Sequence, residues 1–209
     1  MKILNLKKYP RKELLKRLRQ VTLLHSSRTK NLVYIYKTAE IELIDLPVSI
    51  LMPEQFYQIE SVLRKLQDLQ KALQEKNIDI FNLNGYVSSY VTNKSKKIHT
   101  LLPVVVEYQR EKDGSVIPII LDGCHRIGIA RSQNLETVQV IKIAKVNEKY
   151  PILGYVNPHG WQDVKLVQTA PDKKDKRLWR FPLNKVYEYY RDFNSAFENV
   201  GQPRLDGKE

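Results

Sequence analysis

Asp122 is followed directly by Gly123, Cys124, His125 and Arg126, so a carboxylate, a thiol, an imidazole and a guanidinium crowd one short stretch. A glycine there lets the backbone approach a ligand closely. If the next residues open a helix, their free N–H groups and the positive end of its dipole attract anions. His125 and Arg126 add two donors, and the planar fork of Arg126 suits a phosphate. Asp122 fits a magnesium ligand or a group that orients an acceptor. Cys124, beside two cationic groups, fits an acidified thiol. The same residues also fit an ordinary Asp-Gly turn in which Asp122 caps the helix and His125 and Arg126 are solvated.

The flanking sequence predicts the elements that position this turn. The apolar run 116–121 reads as a strand, 127–133 as a short helix and 138–143 as a second strand, a βαβ-like unit. Upstream, 101–108 reads as a strand with Pro103 near its start, joined to 116–121 by a hairpin through Lys112-Asp113-Gly114.

Asp-Gly-Cys-His-Arg, an alanine-bearing helix, and then Leu135-Glu136-Thr137-Val138 with a strand together resemble the signature of the ParB/sulfiredoxin superfamily, strongly over 101–143 and more weakly over 40–76. The resemblance implies an α+β (α/β-like) fold, a small mixed sheet with packed helices, whose loop binds nucleotide phosphates at Gly123, Cys124, His125 and Arg126. Its branches imply different chemistry. Free-serine kinases carry Asp-Gly-His-His-Arg, similar to this chain at Asp122; they imply ATP or ADP, Mg2+ and a small-molecule hydroxyl substrate. In them a glutamate at a helix start is the base, a place that Pro53-Glu54 resembles; a glutamate there also simply favours the helix dipole. Sulfiredoxins carry Gly-Gly-Cys-His-Arg and imply an ATP-dependent cysteine sulfinic acid reductase working through Cys124. ParB proteins carry Gly-Glu-Arg-Arg and imply a nucleotide-dependent (CTP) DNA binder. The kinase-like reading leads, because an acid at Asp122 opposes thiolate formation and because Cys124-His125 stand where ParB has Glu-Arg, with no helix-turn-helix evident after the core.

Elsewhere, Pro53 predicts the start of a long helix with the apolar stripe Phe56, Ile59, Val62, Leu63, Leu66, Leu69 and Leu73, ending near 75–77. Runs 32–36 and 41–44 read as strands, and so does 86–91 within a stretch, 78–100, that reads as an insertion relative to the family core and holds a polar loop at 93–97. Pro10 predicts a basic amphipathic helix with Leu14, Leu15, Leu18 and Val21 on one face and Lys12, Lys16 and Arg19 across from them. That arm suits nucleic acid or an acidic partner, or is a docked helix with a solvated face. A final helix is expected from Asn184 to just before Gly201, with Val186, Tyr189, Tyr190, Phe193 and Phe197 buried. The basic run 171–180 reads as a solvated loop, or else as a closure over a nucleotide or acidic substrate.

The organisation expected is a basic helical arm at 1–30, a nucleotide-binding core at 31–150 and an extension at 151–209 carrying the aromatic helix. Net charge is +12, of which residues 1–30 carry ten cations against Glu13 alone. One cysteine excludes an internal disulfide and cysteine-rich zinc sites, and His25, His99, His125 and His159 are scattered without metal-ligand spacing. No apolar run approaches the ~20 residues a membrane span needs. A cytoplasmic protein is the expectation, its oligomeric state open.

Overall fold

The computed structural model describes residues 3–24, 32–90 and 98–200. Lys2, His25, Arg28, Lys30, Val91, the run 93–97 and Gly201 lie outside them. The elements in chain order are β1 (Leu4–Pro10), α1 (Arg11–Val21), β2 (Leu23–Leu24), β3 (Glu40–Pro47), β4 (Tyr57–Ile59), α2 (Glu60–Gln74) and β5 (Gly85–Tyr90). They continue with β6 (His99–Leu101), β7 (Val104–Arg110), β8 (Val116–Asp122), α3 (Cys124–Ser132), β9 (Thr137–Ala144), β10 (Lys165–Val167) and β11 (Arg191–Asp192). The fold is α+β.

The central sheet has the order β3-β9-β7-β8. Only β7 and β9 run parallel; β3–β9 and β7–β8 are antiparallel. Both faces are covered, which is why Val104, Val105 and Val106 can be consecutive and buried. Val104 and Val106 face the cluster of α2 and α3, and Val105 faces that of α1 and the C-terminal aromatics. The β8–α3–β9 unit is thus not a simple βαβ: β7 inserts between its strands, antiparallel to one and parallel to the other.

Four expectations are corrected. No helix starts at Pro53. Along the β8 edge Met52 N–H donates to the Pro118 carbonyl and the Met52 carbonyl accepts from Ile120 N–H, Phe56 N–H donates to the Lys176 carbonyl, and β4 pairs in parallel with β10. Edge pairing overrides the local proline signal, and α2 begins at Glu60. The final helix is absent as well: 3₁₀ turns at Val186–Tyr189 and Phe193–Ser195 flank β11, which pairs with β2. Its aromatic stripe is still core, with Phe193 and Phe197 buried. Residues 35–38 form a turn rather than a strand, and Tyr36 is wholly buried there. The expected 101–108 strand breaks at Leu102-Pro103, between β6 and β7, where proline has no N–H to donate.

The N-terminal residues also form β1, which pairs antiparallel with β5, and β5 with β6, as a second small sheet. Helix α1 buries Leu14 and Leu18 completely, while Val21, expected on the same face, is exposed. No described helix is long and apolar enough to cross a membrane.

Candidate functional site

Strand β8 delivers Asp122 at its end, and Gly123 at φ +96° turns the chain into α3. Glycine is required twice over. The left-handed backbone disfavours a side chain, and a Cβ would lie 2.9 Å from both an Arg126 guanidinium nitrogen and Val104 Cγ2. Among the described residues no side chain caps α3: Asp122, the expected cap, instead accepts from Arg126 across 2.8 Å. The first-turn N–H groups of α3 are therefore left without a side-chain acceptor, the condition under which a helix start attracts anions.

Arg126 is only 3% exposed. Its other nitrogen donates to the carbonyl of Leu102, which the break before Pro103 has freed from the ladder. The fork expected to meet a phosphate directly is thus folded beneath the loop, bracing Asp122 and Leu102.

The other side of the loop is held by the β4–α2 junction. Gln58 Nε2 donates to the Cys124 carbonyl at 2.8 Å, and Ile59 N–H donates to His125 Nε2 at 2.9 Å. An accepting Nε2 leaves the ring proton on Nδ1. Burial lowers the His125 pKa, partly opposed by Asp122. Cys124 is buried too, and burial, reinforced by the Glu54 carboxylate, pushes its thiol up to about 12. At neutral pH it is a protonated thiol, which is poor chemistry for a nucleophile.

Glu54 does lie close enough to the loop to act on Cys124, but in an extended segment rather than a helix start, and it is 7% exposed. One carboxylate oxygen pairs with Arg177, itself buried. Its Oε2, the Arg177 Nε and the Oδ1 of nearby Asn157 have no hydrogen-bond partner among the described residues. Asn157 Nδ2 bonds the Gln55 carbonyl at 3.0 Å, Arg177 lies 5.0 Å from the Trp179 ring, and Gly154 leaves room for Glu54 Oε2, which a Cβ would approach to 2.8 Å. The run 171–180 is thus not wholly a solvated loop: Lys173 and Lys174 are exposed, and Arg177 is inserted behind the site. Sequence reasoning missed Arg177, Asn157 and Gln58, because nothing in a charged or polar stretch marks the member that tertiary packing will bury.

Lys12, Lys16 and Arg19 are exposed on α1. Because α1 packs on the face of the sheet opposite α3, these residues are not brought to the loop. Among the described residues no three His, Cys, Asp or Glu side chains gather to hold a metal ion.

The chain matches the family described as the ParB CE domain over residues 13–165, a span that holds the whole central sheet, the loop and Glu54. No curated protein and no solved structure matches it.

Proposed function

We propose, from the premise that the chain belongs to the ParB CE domain family, that the 122–126 loop binds the phosphates of a nucleotide and that the protein is an ATP- or ADP-dependent phosphotransferase acting on a small hydroxyl substrate. The observation that carries the reading is the α3 start, preceded by Gly123 at φ +96°, uncapped by any side chain and underlain by the buried Arg126 cation. Backbone N–H groups of Cys124 and His125 hold phosphate oxygens, and Nδ1–H is the one proton the neutral His125 ring has to donate. Asp122, its side chain 30% exposed, is the carboxylate available to a nucleotide-bound Mg2+ or to the acceptor hydroxyl. Glu54 and Arg177 sit behind Cys124 and position the loop.

The protonated Cys124 thiol weighs against a reductase. A ParB-like, CTP-dependent DNA binder is the second reading, supported by the family and by Lys12, Lys16 and Arg19, which are exposed and form no ion pair among the described residues.

The test is thermal unfolding with ATP, ADP, CTP and GTP, each with and without Mg2+, on wild type and Asp122→Asn. A nucleotide at a hundred times its Kd stabilises by about 2.7 kcal/mol. Stabilisation by an adenine nucleotide whose magnesium dependence disappears in Asp122→Asn, followed by label transfer from the γ-phosphate, is the expected result. A CTP preference selects the second reading. No stabilisation by any nucleotide at millimolar concentration rejects both.

A further inference from the structure

A second feature of α3 lies away from its N-terminus. Gln58, Gly128, Arg131, Trp161, Gln162 and Val164 line an open cleft of about 240 Å3. Gly128 makes it possible, since a Cβ there would collide with the Gln58 carboxamide, which is itself fixed on the Cys124 carbonyl at 2.8 Å. Trp161 is fixed too, its Nε1–H donating to the Leu51 carbonyl at 2.8 Å. The walls are therefore set by the fold.

The charge in this cleft is unbalanced. Arg131 has its guanidinium carbon 5.2 Å from the Trp161 ring centroid and forms no ion pair among the described residues. The neighbouring acids are already engaged. Asp163 accepts from the His159 backbone at 2.8 Å and lies 3.0 Å from its Nδ1, and Glu60 accepts from Arg64 and Gln168. Gln162 contributes a carboxamide that bonds no described protein group, and Lys165 follows Val164 on the exposed side. A guanidinium steadied on an indole, flanked by amides and lacking a carboxylate, matches an anionic oxygen pair.

We propose that this cleft binds a small organic anion, a carboxylate or a phosphate monoester, through Arg131 and the Gln58 and Gln162 carboxamides against Trp161. The proposal does not depend on nucleotide binding at the 122–126 loop.

The chain has two tryptophans, so Trp179→Phe leaves Trp161 as the only indole and its emission as a report on the cleft. The full-length variant is titrated with succinate and with glycerol 3-phosphate, ionic strength being held constant with sodium chloride. A saturable change in emission at millimolar ligand is expected, weakened about tenfold by Arg131→Gln and unaltered by Asp122→Asn. Which of the two probes binds more tightly identifies carboxylate or phosphate as the preferred group. Absence of saturation with both probes, a change that chloride alone reproduces, or one indifferent to Arg131→Gln overturns the proposal. Loss of nucleotide stabilisation with the emission change intact would instead reject only the phosphate-loop reading.

Discussion

Two buried glutamate–arginine pairs tie the C-terminal third of the chain to the rest, and they are built to different standards. Glu107 on β7 is surrounded by donors: the Tyr36 hydroxyl at 2.9 Å, and Arg191 through Nε at 3.1 Å and a terminal nitrogen at 2.6 Å. Arg191 spends its remaining hydrogens on the carbonyls of Tyr150, Pro151 and Tyr189. Burial, reinforced by Glu107, raises the Tyr36 pKa so that the phenol stays a donor. Glu54 and Arg177 are about as deeply buried but, among the described residues, leave Oε2 and Nε unbonded, with Asn157 Oδ1 unbonded near them. An unsatisfied buried polar atom costs roughly 1–3 kcal/mol. A fully satisfied network specifies structure, whereas a half-satisfied one placed behind the candidate loop marks where packing has been subordinated to something else.

The contrast predicts an order of effects. Arg191→Met strands the Glu107 carboxylate and is expected to cost about 3–5 kcal/mol in urea unfolding, as breaking a fully bonded buried pair does. Arg177→Met removes fewer bonds, its Nε having no partner among the described residues to lose; a cost of about 1–3 kcal/mol is expected. Equal losses in the two variants would abolish the distinction between them.

The smallest effects are those of pH at the loop itself. His125 is held neutral with its pKa lowered, chiefly by burial. Its contribution is therefore complete above the unfolded value of about 6.5 and is lost as pH falls below it, while the unfolded chain takes up the proton. Cys124 has the opposite sign. Its pKa is raised to about 12, mainly by burial, so its contribution is complete below the unfolded value and lost as pH climbs from there. Unfolding midpoints across pH 5–10 check both: His125→Gln should flatten the acid limb and Cys124→Ala the alkaline limb. Slopes unchanged by these substitutions would mean that the loop is more open than its hydrogen bonds to Gln58 and Ile59 indicate.

The strand, turn and helix around Asp122-Gly123 were legible because they are local. An apolar run, one glycine and a following helical stretch sit within seventeen residues from Val116 to Ser132. The basic helix behind Pro10 and the Lys112-Asp113-Gly114 hairpin were legible for the same reason. Pro53 and Asn184 misled because each gives a sound local helix signal that longer-range pairing defeats, with the β8 edge and β10 in one case and with β2 and Glu107 in the other. The strand β1 left no clear trace, because the exposed positions of Leu4–Pro10 are Asn5, Lys7, Lys8 and Pro10 and the strand finds its partner in β5.

The residue order alone therefore determined the superfamily resemblance, the turn that carries it and the concentration of positive charge in the first thirty residues, since these depend on neighbours in the chain. Tertiary structure decided which charges are used. It turned Arg126 inward to brace the loop, chose Arg177 from a run of cations to meet Glu54, kept the Cys124 thiol protonated and set Arg131 over Trp161 with no ion pair among the described residues. Burial and pairing come from residues far apart in sequence, and the energy of a charge depends on its surroundings rather than on its position in the chain.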